Sequence, residues 1–520
     1  MYELFLFADR RSTPAFWLGC LLVVIGVVLH LPMFLMARDM HYRLAGMPMS
    51  AEMLWGMALI LAGIAAAAYG LQPKAASPDA WDVHETIAPP EDAPLTVWHL
   101  LAGGALAIAL VIDIMKPAAL GFVTPGMSVE YGIGPATVAL LPVSALVGTV
   151  AGSFLWGALA DLYGRRASIL LSAVMYIGTS ICGTMPSFAW NLFMCFLMGA
   201  AAGGMLPIAY ALLAEIMPTR HRGWSLVLVG GIGTVGGYFA AAGLSALLQP
   251  IFGWRIMWLL NLPTGMTLVA LSAFIPESAR FLLHIGRPAE ARAALARFGS
   301  VVVTDAQDRD EDAERVHSPL PPVDRRYRGT TVALTSAALS WGFVNFGLLL
   351  WLPGDLMAEG RDMGLAAGII TRSSLIAMPV VAVAAYLYSA WSTKGALLTM
   401  TGATALGLLL VVLRQSGLPG FANPVLPVAL LILGSTGVIS ILLPYSAENY
   451  PLRIRGRATG WVAGCSKSGG LLCQGLSSIA AVPSLGAAAL AIAIPVLLGF
   501  GLIAIYGRET RGRDLRELEG

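Results

Sequence analysis

Long apolar stretches alternate with short polar segments along almost the whole chain. A membrane-spanning helix needs about 20 mostly apolar residues. Because lipid offers no water to unpaired backbone groups, such stretches are expected to be helices. Fourteen stretches have this character, near 15–36, 53–71, 97–122, 135–160, 167–185, 190–213, 224–248, 256–275, 330–352, 365–389, 394–413, 422–446, 457–480 and 485–506. The pattern predicts an all-α integral membrane protein with fourteen spans.

Two polar segments interrupt this pattern. Residues 72–96 are rich in proline and acidic side chains, and residues 276–329 include a short amphipathic stretch, RPAEARAALARFG, that favours a surface helix. We read both segments as cytoplasmic linkers. The predicted organisation is two additional N-terminal helices (1–71), a linker (72–96), a six-helix bundle (97–275), a second linker (276–329), a second six-helix bundle (330–506) and a cytoplasmic tail (507–520).

Composition agrees with a membrane protein. Hydrophobic residues make up 57% of the 520 positions and charged residues only 12%, whereas a soluble domain carries about 25% charged residues. The net charge of +2 gives no reason to expect a nucleic-acid partner. The cysteines all fall in predicted spans without metal-binding spacing, so we expect free thiols at Cys20, Cys182, Cys195, Cys465 and Cys473.

Basic residues are distributed unevenly between the two sides of the predicted membrane. The chain ends and alternate loops hold most of the Lys and Arg, and the opposite side has only Arg38, Arg43, Arg255, Arg361 and Arg414. Short cytoplasmic loops carry an excess of positive charge. We therefore expect a multi-pass plasma-membrane protein, in a bacterium the inner membrane, with both termini in the cytoplasm.

An internal repeat relates the two predicted bundles. AEIMPTRHRG at 214–223 matches AENYPLRIRG at 447–456 in six of ten positions, and VGGIGTVGG at 229–237 lies in the same register as VAGCSKSGG at 462–470. The last helix of each bundle is followed by PES (276–278) or RET (508–510). Duplicated bundles are a transporter architecture in which the solute binds near the membrane midplane, between the repeats.

These segments, together with GALADLYGRR (157–166), PESARFLLHIGR (276–287) and GRETRGRDLRELE (507–519), carry a family resemblance. Over about 97–519 the chain resembles the major facilitator superfamily, nearest its sugar-porter, organic-ion and metabolite:proton symporter branch. The resemblance implies two six-helix bundles, alternating access and no cofactor. Leu162 departs from the family, which usually has a basic residue there, and residues 1–96 lie outside the resemblance.

The resemblance implies a gating role for the loop between the second and third core helices. Its members are Gly157, Asp161, Gly164, Arg165 and Arg166. The alternative is that the charges only orient the chain. A cytoplasmic charge network at symmetry-related helix ends is expected from Glu215, Arg222, Glu277, Glu448, Arg455 and Glu509. The alternative is exposed salt bridges worth about 0–1 kcal/mol each.

Ionisable residues inside the spans are the candidates for a solute and proton site. A charge at the bilayer centre costs roughly 2.5–3.5 kcal/mol on insertion scales, so it indicates function. The candidates are Asp113, Lys116, Arg372 and Lys467. We expect Asp113 to couple protons and Lys116, on the same helical face, to set its pKa and help hold an anion. Alternatively the two form a buried pair that only holds the helix, and Arg372 extends to the outer surface.

A weaker alignment adds two uncharged candidates. PGMSVEYG (125–132) aligns with PGDLMAEG (353–360), which places Trp341 opposite Asp113 and Asn345 opposite Pro117. We expect Trp341 to supply an apolar wall and Asn345 a hydrogen bond. The alternative is ordinary helix packing for both.

The excess of buried cations over acids favours an anionic solute. The sequence therefore predicts a secondary transporter, most simply proton-coupled uptake of a small carboxylate-bearing metabolite, with solute, proton and the bilayer as its partners. Export or exchange of a similar solute is one alternative. Another is a sensor or assembly protein on the same fold, with the N-terminal helix pair binding a partner. We expect a monomer, and no catalytic or metal-binding constellation indicates an enzyme.

Overall fold

The computed structural model describes residues 12–73, 86–88, 94–299, 301–303, 325–417, 423–450, 452–479 and 483–511. The chain divides into two compact units. The first unit comprises Met1–Asp113, Val123–Arg220 and Leu244–Thr304, and the second comprises Ile114–Phe122, His221–Gly243 and Asp305–Gly520. Each unit is helical throughout most of its described length.

The helices up to residue 299 include long spans and several short connecting turns. They are α1 (Ser12–Val28), α2 (Leu31–Met36), α3 (Ala51–Leu71), α4 (Val97–Tyr131), α5 (Pro135–Val138), α6 (Leu140–Tyr163), α7 (Arg165–Gly178), α8 (Phe188–Ala202), α9 (Met205–Ile216), α10 (Thr219–Phe252), α11 (Ile256–Leu259), α12 (Asn261–Leu271), α13 (Ala279–His284) and α14 (Pro288–Ala296). Short 3₁₀ turns cover Ala37–Met40, Thr179–Thr184 and Ser272–Phe274.

The helices after residue 324 include two π-helical segments, Phe343–Leu348 and Leu387–Trp391. The α-helices are α15 (Arg325–Gly342), α16 (Leu349–Ala358), α17 (Met363–Ala377), α18 (Val380–Tyr386), α19 (Thr393–Gln415), α20 (Val425–Glu448), α21 (Leu452–Ile479) and α22 (Leu485–Tyr506). A π-helix is rare and is often found at functional sites.

Thirteen of the described helical segments are long and apolar enough to cross a membrane. Each matches a predicted stretch. The remaining predicted span, 457–480, coincides with α21, which is not one of the thirteen and carries Arg457 and Lys467 within a Gly- and Ser-rich sequence. The all-α membrane fold is confirmed, and the count of fourteen spans stays a prediction because of this helix.

The N-terminal helix pair packs through regularly spaced glycines. Gly19 and Gly26 of α1 lie against Gly63 and Gly56 of α3, and Gly70 of α3 lies against the backbone of Phe16. The spacing of seven residues places each set on one helix face, where small residues let two backbones approach closely. A Cβ atom on Gly63 would lie 2.7 Å from the carbonyl oxygen of Gly19. The pair therefore behaves as one packed hairpin.

The hairpin also contacts other parts of the first unit. A Cβ on Gly178 at the end of α7 would lie 2.9 Å from the Ile60 side chain. In the α2–α3 connection, the backbone N–H groups of Leu44 and Ala45 donate to Glu130 at 2.8 and 3.0 Å. Glu130 pairs with fully buried Arg255 at 2.7 Å. Residues 12–71 are therefore integrated into this unit.

The linkers contain one feature that the sequence did not indicate. Strand β1 (Thr86–Ala88) pairs antiparallel with β2 (Val301–Val303). The predicted surface helix is present as α14, preceded by the shorter α13. The charged stretch 305–324 and the last residues of the tail, 512–520, lie outside the described residues.

Candidate functional site

A tight turn at Gly164 joins α6 to α7. Gly164 has φ of +94°, a conformation that side chains with a Cβ rarely adopt. A Cβ there would also lie 2.7 Å from the Glu277 carboxylate. This close approach lets Glu277 Oε1 accept the backbone N–H groups of Arg165 at 2.7 Å and Arg166 at 3.2 Å. The acid therefore satisfies the first orphan donors of α7 and complements the positive end of its dipole.

A second acid completes this helix-end cluster in the first unit. The Arg165 guanidinium pairs with Glu215, the last acid of α9. Ser278 Oγ donates to the other oxygen of Glu215 at 2.6 Å and accepts from Arg165 at 3.2 Å. Residues from α7, α9 and the segment after α12 are thereby tied together.

The second unit contains a matching cluster at the start of α19. Glu509 accepts hydrogen bonds from the Thr393 backbone N–H at 3.0 Å, from the Thr393 hydroxyl at 2.7 Å and from Ser392. Thr510 Oγ1 donates to Glu448 at 2.7 Å. Glu509 thus occupies the position of Glu277, Thr510 that of Ser278 and Glu448 that of Glu215.

The two clusters differ in how they stabilise the central carboxylate. Burial raises the pKa of Glu277, and the backbone donors of Ser278, Arg166 and Arg165 only partly oppose it. Burial also acts on Glu509, but hydrogen bonds from Ser392 and Thr393 outweigh it and lower its pKa to about 2. Glu509 is therefore ionised at neutral pH, whereas burial disfavours the ionised form of Glu277.

The other residues predicted for gating lie in varied surroundings. Asp161 is exposed, and a Cβ on Gly157 would meet no described atom within 4 Å. Arg166 and Arg222 are half-buried, the latter in the first turn of α10. The side chain of Arg455 lies outside the described residues. Their gating roles stay predictions.

Asp113 lies in the middle of α4 with 6% of its surface exposed. The fully buried Tyr176 of α7 donates its hydroxyl hydrogen to Asp113 Oδ1. Both residues belong to the first unit. A buried carboxyl that keeps a donor can change its protonation state without losing every polar contact.

Lys116 lies one turn further along α4, in the part of the helix that belongs to the second unit, and is only 2% exposed. Close packing surrounds that part of α4. A Cβ on Gly121 would lie 2.7 Å from the Leu350 carbonyl oxygen, and one on Gly237 of α10 would lie 2.7 Å from Ile114. The Lys116 side chain is therefore almost completely shielded from solvent.

The π-helical segment Phe343–Leu348 forms a polar cluster in the second unit. Tyr238 of α10 donates to the Asn345 carbonyl oxygen at 3.1 Å, and Gln474 of α21 donates to that of Phe346. The ammonium of half-buried Lys467 lies 5.1 Å from the Phe346 ring centroid. Asn345 Oδ1 is buried and has no hydrogen-bond partner among the described residues. This oxygen can accept a hydrogen bond from a ligand.

Trp341 lies just before this segment. Its indole N–H donates to the Ser435 carbonyl oxygen at 2.9 Å, and its ring meets Phe346 edge-on at 5.5 Å. It borders a cavity of about 10 Å³ that also touches Ser340 and Thr404. Arg372, in contrast, is exposed, and its place in the solute site stays a prediction.

Three polar residues near the candidates were not expected from the sequence: Tyr176, Tyr238 and Gln474. They carry no charge, so their presence in apolar spans does not distinguish them from packed residues. Only their hydrogen-bond partners in the folded protein distinguish them. No group of three or more His, Cys, Asp or Glu able to hold a metal occurs within the described ranges.

Comparisons with known proteins agree with this architecture. Residues 106–474 match the model of the Major Facilitator Superfamily. The chain is 24% identical to the niacin transporter NiaP of Acinetobacter baylyi over 439 residues, covering 82% of this chain and 98% of that protein. It is 26% identical to the 4-hydroxybenzoate transporter PcaK of the same organism over 401 residues, covering 73% and 84%.

Solved structures show the same fold. The xylose transporter XylE of E. coli, in a partially occluded inward-open conformation, aligns with a TM-score of 0.64 at 15% identity, covering 81% of this chain and 100% of that one. With the family model spanning more than half of its length, this chain belongs to the Major Facilitator Superfamily and is a multi-pass membrane transporter of the organic-ion and sugar-porter kind, not an enzyme.

Proposed function

We propose that this protein takes up a small carboxylate-bearing organic solute together with protons, by alternating access. The observation that carries the proposal is the burial of two ionisable side chains within one membrane span. Asp113 is 6% and Lys116 is 2% exposed in the span Val97–Tyr131. Burying an ionisable side chain inside a membrane span costs free energy, so its presence there indicates a functional role.

Asp113 is the proposed proton carrier. Its carboxyl can exist as the neutral acid or as an anion, and the Tyr176 hydroxyl remains a donor to either form. Protonation removes one negative charge from the interior of the protein, which changes the relative stability of the two access states. A proton that binds one state more tightly shifts the population toward it.

The proposed solute contacts come from the polar residues of the second unit. Lys116 and Lys467 supply positive charge, Asn345 Oδ1 supplies an acceptor, and Trp341 supplies an aromatic surface. An aromatic acid combines a carboxylate with a flat apolar ring. Two relatives are named for niacin and 4-hydroxybenzoate, which are both acids of this kind. These names support a carboxylate as the transported group.

The helix-end clusters are the proposed gating elements. The Gly164 turn with Arg165, Glu215 and Glu277, and the cluster of Glu448 and Glu509, hold helix ends that the charge distribution assigns to the cytoplasmic side. We include Gly157, Asp161, Arg166, Arg222 and Arg455 in this role from the family resemblance. Both termini are then cytoplasmic, and in a bacterium the membrane is the inner one.

The coupling role of Asp113 is tested in liposomes that contain the purified protein. A pH difference of one unit supplies about 1.4 kcal/mol per proton, enough for about tenfold accumulation. An inward proton gradient should accelerate uptake of radiolabelled niacin or 4-hydroxybenzoate above the rate in protein-free liposomes. Asp113→Asn should abolish this acceleration but retain solute exchange, because the solute contacts remain.

Asp39→Asn is the matched control, since Asp39 is an exposed acid outside the proposed site. It should transport like the unmodified protein. Gradient-driven uptake that persists at full rate in Asp113→Asn would refute the coupling role. Loss of exchange as well would show that the substitution damages the protein in general.

The charge of Lys467 is tested by substrate preference. Lys467→Ala should raise KM for an aromatic carboxylate by about tenfold or more and leave that for the corresponding neutral amide almost unchanged, because a charge-assisted contact is lost. Lys394→Ala is the control, since Lys394 is half-buried like Lys467, donates to the Ala504 carbonyl oxygen at 2.8 Å and is not one of the proposed solute contacts. An equal change in KM for acid and amide would contradict the proposed contact.

A further inference from the structure

A cavity of about 180 Å³ lies in the first unit where the ends of several spans meet the linker helices. The end of α3, the beginning of α4, the end of α6 and the first turns of α7 form one side. Helices α13 and α14 form the other side. The N-terminal hairpin contributes Ser12 and Gly70 to the wall. This cavity is separate from Asp113 and Lys116, neither of which lines it.

Three guanidinium groups line the cavity against two carboxylates. Arg287 is paired with Glu290 at 2.9 Å, and Glu277 is occupied by the backbone N–H groups at the start of α7. Arg166 is attracted by Glu277 and repelled by Arg297 on the opposite side, so these five groups leave an excess of one positive charge in the cavity. An anion between Arg166 and Arg297 would relieve their repulsion and could accept hydrogen bonds from both.

Aromatic rings at span ends form the apolar part of the wall. Trp98 lies in the first turn of α4, Tyr163 ends α6, and Phe281 belongs to α13. The Arg297 guanidinium lies 5.4 Å from the Trp98 ring centroid, a contact that pre-orients the cation. Trp and Tyr are enriched where spans leave the hydrocarbon layer, at the depth of lipid headgroups. Aromatic residues at these positions are typical of a cavity at the level of lipid headgroups.

The volume of the cavity limits the size of the ligand that can bind in it. A cavity of about 150 Å³ is large enough for one benzene molecule. A volume of 180 Å³ accommodates one phosphate group with a short neighbouring segment, and it is too small for a nucleotide. Basic pockets between spans on the cytoplasmic side are suited to anionic headgroups.

We propose that this cavity is a binding site for a single phosphate group, held by Arg166 and Arg297 with Trp98 beside it. The phosphate belongs either to the headgroup of an acidic phospholipid or to a small phosphorylated solute. Because Arg166 follows Arg165 of the helix-end cluster, occupancy would stabilise the start of α7. The N-terminal hairpin would then serve to close one side of the site.

The site is tested by affinity measurements on the full-length protein in detergent micelles. The probes are dioctanoyl-phosphatidylglycerol, dioctanoylglycerol without the phosphate, and glycerol 3-phosphate without the chains. We expect phosphatidylglycerol to bind and dioctanoylglycerol to bind at least about tenfold more weakly. Arg297→Gln should weaken the binding of phosphatidylglycerol by about tenfold or more, which is the loss expected for one charged hydrogen bond. Arg292→Gln, on the exposed side of α14, should have no effect.

The two sources of phosphate give different results. If glycerol 3-phosphate binds with the same affinity as phosphatidylglycerol and depends equally on Arg297, the site is supported with a soluble phosphorylated ligand. Equal binding of both dioctanoyl probes, absence of binding by any probe, or equal effects of the two arginine substitutions would overturn the proposal. If Arg297→Gln lowers the melting temperature, Ala294→Phe, which fills the cavity without removing a charge, should block binding instead.

Discussion

Gly157 and Gly164 lie in one motif, yet their surroundings differ. Gly164 has a positive φ and leaves no room for a Cβ beside Glu277, whereas a Cβ on Gly157 would meet no described atom within 4 Å. Identical residues in the sequence thus have different structural requirements. Of these two glycines, only Gly164 is required by the local backbone conformation.

Gly164→Ala should destabilise the protein by about 1–3 kcal/mol, because Ala must adopt an unfavourable φ and displace Glu277. Gly157→Ala should leave stability unchanged or raise it by up to about 1 kcal/mol, since Ala lowers the entropy of the unfolded chain. Thermal unfolding in detergent compares the two variants. Equal losses would contradict the conformational requirement at Gly164.

Residue chemistry also explains which candidate sites could be recognised from the sequence. Asp113, Lys116 and Lys467 are conspicuous because charge is rare in apolar stretches. The partners Tyr176 and Gln474, and the unpartnered oxygen of Asn345, depend on contacts between residues that are far apart in the chain. Hydropathy contains no information about such contacts.

At the scale of elements, two helix N-termini receive an acid in the same way. Glu277 accepts hydrogen bonds from the first backbone N–H groups of α7. Glu509 accepts one from the backbone N–H group of Thr393 at the start of α19. The repeat of PES and RET already indicated equivalent positions. It did not indicate that the hydroxyl groups of Ser392, Thr393 and Thr510 donate hydrogen bonds to the acids of the second cluster.

The two acids should respond oppositely to pH. The pKa of Glu509 is about 2, below its usual value of 4.5, so its stabilising effect is complete above pH 4.5 and is lost only as pH falls toward 2. The pKa of Glu277 is raised above 4.5, so its ionisation lowers stability as pH rises from 4.5 through the raised pKa.

Melting temperatures between pH 4.5 and 7 test this difference. Glu509→Gln should reduce stability by a constant amount across the range. The melting temperature of Glu277→Gln should rise relative to that of the unmodified protein as pH rises, because glutamine cannot ionise. If the loss of stability in Glu509→Gln disappeared when the pH was lowered from 7 to 5, the lowered pKa of Glu509 would be contradicted.

The N-terminal hairpin depends on its glycine faces. A leucine at Gly63 would collide with the Gly19 carbonyl and the Val23 side chain. Gly63→Leu should therefore destabilise the hairpin by about 1–3 kcal/mol, the usual cost of overpacking. Ala65→Leu, on the exposed face of the same helix, is the control. An unchanged melting temperature for Gly63→Leu would contradict the close packing of α1 and α3.

At the scale of the whole molecule, hydropathy predicted the spans, and the internal repeat with the family resemblance predicted the fold. Thirteen of the fourteen predicted spans qualify by length and composition, and the family assignment is confirmed. The pairing of Thr86–Ala88 with Val301–Val303, the π-helical segments and the 180 Å³ cavity were not predictable. They arise where segments distant in sequence pack together, which no local pattern encodes.

Substrate-driven proton movement tests the central claim most directly. Liposomes containing the protein and an internal pH dye receive niacin or 4-hydroxybenzoate from outside without an imposed proton gradient. We predict faster internal acidification with the unmodified protein than with protein-free liposomes or with Asp113→Asn. Labelled solute that enters through the unmodified protein without any additional acidification would contradict proton coupling.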